Sequence, residues 1–198
     1  MRKKKVFIGY YNIANVLTVI GLMFAFASCF FALNKNLNVS VICLIAAGIC
    51  DLFDGAVARK IKRTMEEKEF GIQLDTIVDI VNFGIAPITI AFSCIGSEWY
   101  ALVIYSFYLI CAVVRLAYFN TSAAPSVATK HYQGLPVTYI ALILPIVLFF
   151  HSMWITLATL AVVGVFFILN IKIAKPKGIW YLIFPIVAII LMVLWCFL

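Results

Sequence analysis

The stretch "DLFDGAVARK", Asp51–Lys60, follows the apolar run "VSVICLIAAGIC" and precedes "GIQLDTIVDIV", residues 71–81. Carboxylates therefore stand at the end of one apolar segment and inside the start of the next. The chain around them is 66% hydrophobic, only 12% charged, and has a mean hydropathy of +1.13. Soluble domains carry about 25% charged residues. A deficit spread over the whole length points to an integral membrane protein, and 198 residues suit one domain covering 1–198.

About 20 apolar residues are needed to cross the hydrocarbon core as a helix. Seven segments qualify as candidates: 11–33, 38–59, 70–95, 99–118, 135–150, 153–172 and 179–198. The expected fold is an all-α polytopic membrane helix bundle of six to eight transmembrane helices, seven being the best count. Connections are brief except at 60–69 and 119–134. "MRKKK" is basic but no A-x-A-like cleavage site follows it, so residue 1 is expected in the mature protein.

Lys and Arg set the orientation of such a bundle. With the N-terminus in the cytoplasm, fourteen of the fifteen Lys and Arg residues fall on cytoplasmic ends and loops; only Lys35 falls outside. That bias places Asp51–Lys60 and the 119–134 loop at the cytoplasmic face of the plasma membrane. It also accounts for the net charge of +7 without a nucleic-acid partner. The six cysteines are scattered through apolar runs without a C-x-x-C pair, and His131 and His151 lie apart, so no zinc site is expected.

The chain has four aspartates, Asp51, Asp54, Asp75 and Asp79, all within 29 residues. Asp51 and Asp54 are i, i+3; Asp75 and Asp79 are i, i+4. Each pair projects from one face of its helix, and a short turn makes the two helices antiparallel neighbours. Four carboxylates in one pocket cannot all stay ionised without compensation, which protons or divalent cations would supply. Oxygen ligands select Mg2+, Mn2+ or Ca2+ over zinc. Gly55 and Ala58 leave a groove on one helix, and Gly71 is expected to open the facing helix and allow close approach. Arg59, about 12 Å along the axis from Asp51, offers a planar fork for phosphate. Metals, a groove and an arginine make a candidate polyphosphate site.

Taken together, Asp51-x2-Asp54-Gly55-x2-Ala58-Arg59-x11-Gly71-x3-Asp75-x3-Asp79 resembles the signature of the CDP-alcohol phosphatidyltransferases. The family usually has eight residues between Arg and the second Gly; here there are eleven, "KIKRTMEEKEF". The extra residues are expected to lengthen the turn and leave the pocket unchanged. The resemblance implies the CDP-alcohol phosphotransferase fold, a homodimer and a two-metal site. In the implied reaction an alcohol attacks the β-phosphorus of a CDP-linked lipid and CMP leaves. Carried over, Asp51, Asp54 and Asp75 hold a metal, and Asp79 contributes to a second and serves as general base. Gly55, Ala58, Arg59 and Gly71 line the CDP site.

Other strings resemble the membrane-embedded phosphatidylserine synthases within that family. "GIQLDTIVDIVNFGIAP" resembles their "LDSLADVVSFGVAP" pattern, "RLAYFN" (Arg115–Asn120) resembles "RLARFN", and "YQGLPVT" resembles "FxGLPxP". "ANVLT" resembles "PNLLT", which makes Asn15 and Thr18 candidate phosphate contacts. The departures are Ala14 for Pro, Asn82 for Ser, Tyr118 for Arg and Thr138 for Pro, and the resemblance covers residues 12 to 138. The implied substrates are CDP-diacylglycerol and L-serine. Arg115, the only charge in its apolar run, is a candidate for the serine carboxylate or a substrate phosphate. Lys130, Asn120 and Gly134 join it, although a solvated lysine, a helix cap and a turn explain those three equally simply. Glycerol-3-phosphate or inositol phosphate is the alternative acceptor. A divalent-cation transporter is a remote alternative, because the aspartates sit at one face beside Arg59 rather than near the midplane.

Overall fold

The computed structural model describes residues 8–122, 131–174 and 180–198. Helix α1 spans Ile13–Leu33 and α2 spans Leu37–Lys60. A long third helix runs from Met65 to Ile95 in three parts. These are α3 (Met65–Asp79), a π-helical segment (Ile80–Ile85) and α4 (Ala86–Ile95). Next come α5 (Trp99–Ser122), β1 (His131–Gln133), a 3-10 turn (Val137–Tyr139) leading into α6 (Ile140–Leu148), α7 (Met153–Ile168), β2 (Lys172–Ala174) and α8 (Trp180–Cys196). Four helices, Ile13–Leu33, Leu37–Lys60, Met65–Ile95 and Trp99–Thr121, are long and apolar enough to cross a membrane, and three shorter apolar helices follow. The described residues thus hold seven apolar helical segments. The chain is an all-α integral membrane protein, as its composition predicts.

Small residues decide how α1 and α2 pack. The buried face of α1 carries Ala14, Thr18, Gly21, Ala25, Ser28 and Ala32, spaced three and four apart. With no hydrophobic drive between helices in lipid, close backbone approach and interhelical hydrogen bonds hold such a pair. A Cβ on Gly21 would sit 3.2 Å from Cys50 Cβ, and Ser40 Oγ donates to the Ser28 carbonyl at 2.7 Å. On another side of α2, a Cβ on Gly48 would come within 2.8 Å of Ala141 Cβ, so α2 and α6 nearly touch. The outward faces carry large apolar side chains such as Phe26, Leu102 and Ile189, which suits a bundle bathed in hydrocarbon.

The helix start after the acidic stretch differs from expectation. Thr64 caps α3 in a reciprocal pair: Glu67 N donates to Thr64 Oγ1 at 3.2 Å, and Thr64 N donates to Glu67 Oε2 at 2.8 Å. The helix therefore begins at Met65, not at residue 70, and the turn is only residues 61–64. Of the residues between Arg59 and Gly71, Met65 to Phe70 therefore lie in α3 rather than in a lengthened turn. Gly71 consequently lies inside the helix instead of opening it.

Two features lay beyond the sequence pattern. The π-helical segment directly follows Asp79 and loosens one turn of backbone. Tyr108, wholly buried on α5, donates its hydroxyl to the Phe83 carbonyl at 2.6 Å and fills one of the acceptors left there. The second feature is the antiparallel pairing of β1 with β2, with Tyr132 opposite Ile173. The sixth apolar segment therefore ends as helix at Ile168 and continues as extended chain, rather than reaching residue 172. Helices α5 and α7 run in the same direction. Tyr100 stacks on Trp154 at one end (5.5 Å, 19°), and Tyr108 packs against Phe167 further along.

Candidate active site

Because α2 and α3 are joined by so short a turn, their acidic faces meet. One carboxylate oxygen from each of Asp51, Asp54 and Asp75 falls within 4.8 Å of the others. Asp79, one turn beyond Asp75 and buried, lies within hydrogen-bonding reach of the Asp51 carboxylate. All four expected aspartates are thus brought together from two consecutive helices. Three hard oxygen donors from three carboxylates, at this spacing and with waters or phosphate oxygens to complete the shell, suit Mg2+, Mn2+ or Ca2+. The chemistry of the donor set fits a divalent cation.

Two hydroxyls hold the pair on α2. Thr18 Oγ1, from α1, donates to Asp54 Oδ2 at 2.6 Å. Thr138 Oγ1, from the turn that leads into α6, donates to Asp51 Oδ2 at 2.8 Å. Thr18 was expected to meet phosphate; its hydroxyl is instead engaged by a carboxylate. In the sequence Thr138 is marked only as a departure from proline. The one signal that could have found it is that departure itself, a hydroxyl replacing a ring in a motif close to the site.

Two arginines lie beside the small residues. The Arg59 guanidinium folds back over Gly55, with Nη1 3.5 Å from where a Cβ would stand. Gly71 faces Asn15: a Cβ there would lie 3.1 Å from Asn15 Oδ1 and 3.2 Å from Arg63 Nη1. Asn15 is fixed by its own amide, which donates to the Tyr10 carbonyl at 2.8 Å. Asn15, Gly71 and Arg63 thus converge on one spot, while Ala58 sits half-buried one turn from Asp54. In the sequence Arg63 is marked only as one of the orienting charges. Its place over Gly71 follows from the early start of α3, which folds the turn back onto the helix.

The residues of the expected acceptor site are spread more widely. Arg115 is 5% exposed, so it does not snorkel out to the interface. Its guanidinium carbon lies 5.0 Å from the centre of the Phe119 ring. It lines a cavity of about 190 Å³ with Tyr118, Gln133, Leu169 and Asn170. Asn120 points elsewhere: its amide donates to Thr76 Oγ1 at 2.6 Å, tying α5 to α3 next to Asp75. Five residues turn an α-helix through about 500°, which separates Arg115 and Asn120 by about 140° around the axis. Gly134 has φ +73°, and a Cβ there would meet the Phe167 carbonyl at 2.5 Å, so its backbone conformation and close packing explain the glycine. Lys130 lies outside the described residues.

Residues 11–169 match the family model described as CDP-alcohol phosphatidyltransferase. A CDP-diacylglycerol–serine O-phosphatidyltransferase of Saccharomyces cerevisiae is 37% identical over 108 residues, which is 50% of this chain and 38% of that protein. A protein of the same name from Mycobacterium leprae is 30% identical over 128 residues, 61% of this chain and 41% of that protein. An archaetidylserine synthase of Methanothermobacter thermautotrophicus is 25% identical over 138 residues, 69% and 57% of the two chains. The matched region spans well under two thirds of each relative. Since the family match takes in both aspartate pairs, the groove glycines and Arg115, the chain belongs to the CDP-alcohol phosphatidyltransferase family.

Proposed function

We propose that the protein is a membrane-embedded phosphatidylserine synthase. It transfers the phosphatidyl group of CDP-diacylglycerol to the hydroxyl of L-serine and releases CMP. The observation that carries the reading is the meeting of Asp51, Asp54 and Asp75 oxygens within 4.8 Å, with Asp79 beside them. The names of the relatives support serine as the acceptor.

In this proposal residues 1–198 act as a single catalytic domain in the plasma membrane, as a homodimer, with the N-terminus and the site on the cytoplasmic side. Asp51, Asp54, Asp75 and Asp79 would hold Mg2+ or Mn2+. A divalent cation bound there supplies charge neutralisation on the pyrophosphate and keeps the phosphorus in line. Arg59 pairs with a phosphate oxygen, and Gly55, Ala58 and Gly71 let the nucleotide approach the backbone. Asn15 orients the CDP moiety from α1. Asp79 accepts the serine hydroxyl proton as the serine oxygen bonds to the β-phosphorus and the bond from that phosphorus to CMP breaks. Arg115, reached from its cavity, binds the serine carboxylate, for which the planar guanidinium fork is matched.

The test is CMP release by purified protein with CDP-diacylglycerol, across a panel of alcohols and divalent ions. Release with serine and not with glycerol-3-phosphate or inositol phosphate is the expected result. Release with glycerol-3-phosphate alone would keep the family chemistry and replace the acceptor. Metal uptake into liposomes without CMP release would replace catalysis by transport.

A further inference from the structure

The bond from Thr138 to Asp51 joins residues 87 positions apart in sequence, and the backbone that delivers it is firmly held. Gly134 N donates to the Ile171 carbonyl and Leu135 N to the Phe166 carbonyl, each at 2.9 Å. The β1–β2 pairing fixes the same segment from its other end. Pro136, at φ −61°, then leads into the 3-10 turn that carries Thr138. The hydroxyl therefore arrives at Asp51 on a rigid arm rather than a loose loop. A hydroxyl that donates to one oxygen of a carboxylate sets the rotation of that carboxylate and leaves its remaining lone pairs for a ligand. Asp54 receives the matching hydroxyl from Thr18 on the opposite side. Asp51 contributes one of the three clustered oxygens and lies beside Asp79, so its orientation bears on the geometry of the whole site.

We infer that Thr138 is a positioning residue: its hydroxyl holds Asp51 in the orientation that binds the divalent cation, and so links the segment between β1 and α6 to metal affinity. This rests on the proposal that the aspartates hold a cation. A merely packing role would act through the methyl group and the volume of the side chain. A positioning role acts through the hydroxyl, and the two are separable.

The experiment uses the full chain in detergent and reads Mn2+ binding by electron paramagnetic resonance, alongside the Mn2+ concentration needed for half-maximal CMP release. Thr138→Val keeps the shape and removes the donor; it should weaken Mn2+ binding about 10- to 100-fold, the usual cost of losing an outer-shell partner. The activation curve should move by the same factor. Thr138→Ser keeps the donor and should bind Mn2+ as the unmodified protein does. Thr138→Pro, which restores the residue of the family pattern, should resemble Thr138→Val. Undiminished Mn2+ affinity in Thr138→Val overturns the assignment. So does a weakened Thr138→Ser, which folds with only a methyl group lost and keeps the test open if Thr138→Val does not fold. Unmodified protein that binds no Mn2+ would remove the cation reading, and this inference with it. Mn2+ binding that ignores the hydroxyl would remove this inference alone.

Discussion

The aspartate pocket and the cavity at Arg115 lie in the same apolar bundle, yet they are assembled in opposite ways. The pocket comes from two consecutive helices across a turn of residues 61–64, and its acidic groups occupy 29 residues of sequence. The Arg115 cavity draws on α5, on β1 and on the residues after α7, so that Arg115 and Asn170 line one space from positions far apart in the chain. Local spacing specifies the first. The second exists only once β1 has paired with β2 and α7 has packed along α5. A cluster of acidic groups on successive helices can be written as a short motif, whereas a cavity of this kind has to be gathered from the tertiary fold.

The sharpest way to break this comparison is at Asp79. If the acidic corner is where protons move, Asp79→Asn should lower the rate of CMP release by about 10²- to 10⁴-fold, the range expected for losing a general base. Binding of CDP-diacylglycerol should change far less. Full turnover in that variant would detach the chemistry from the corner. Removal of divalent ions by a chelator, followed by restoration with Mn2+ or Mg2+, should abolish and return the same activity, because oxygen donors bind such ions reversibly.

A smaller effect is expected on the other side. Arg115→Ala should cut kcat/KM for serine by about 10- to 100-fold, as for a lost hydrogen bond to a charged group at about 1.5–3 kcal/mol. The loss should appear mainly in KM for serine, with the CDP-diacylglycerol KM unchanged. Arg115→Lys should not restore it, since an ammonium cannot reproduce the planar fork. A variant impaired equally for both substrates would make Arg115 part of the shared scaffold and erase the contrast between the two regions.

Gly134→Ala sharpens the same contrast through the backbone. The glycine holds φ +73° and packs 2.5 Å (as Cβ) from the Phe167 carbonyl. Forcing a side chain there should cost about 1–3 kcal/mol, the scale of one strained backbone residue. It should displace the arm that carries Thr138 and Gln133, lowering both thermal stability and serine use. Full stability with unchanged serine kinetics would show that the segment tolerates movement, and that the Arg115 side does not depend on it.

These contrasts also explain what the amino-acid order made readable. The bundle, the seven apolar segments and the four aspartates follow from hydropathy and from i, i+3 and i, i+4 spacing, both of which act over short distances. The π-helical segment after Asp79 has no periodic signature, and the Tyr108 hydroxyl that meets Phe83 there comes from another helix. The strands are three residues each, too short for an alternating pattern, and they pair across about 40 positions. Arg63 and Thr138 carry no recognisable spacing; only the folded turn and the folded arm bring them to Gly71 and Asp51. Even the start of α3 was legible in retrospect, since T-x-x-E at Thr64 and Glu67 is a capping pattern. The polar residues around it fall below the hydropathy that marks a membrane span.

That cap gives the smallest predicted effect and the most local test. Thr64→Ala removes the acceptor for Glu67 N and should destabilise α3 by about 1 kcal/mol, the usual loss at an N-cap. The site residues Asp75 and Asp79 lie three and four turns further along α3, a helix that packs on α1, α5 and the π segment. Fraying of the first turn should therefore lower the midpoint of thermal unfolding by a few degrees and leave CMP release at moderate temperature nearly intact. The groove is closer, since Arg63 reaches Gly71 from the residue before the cap. A rise in KM for CDP-diacylglycerol without a fall in kcat would show that the turn shapes the nucleotide side of the pocket. A fall in kcat as deep as that of Asp79→Asn would mean instead that the acidic corner is no more self-contained than the cavity at Arg115.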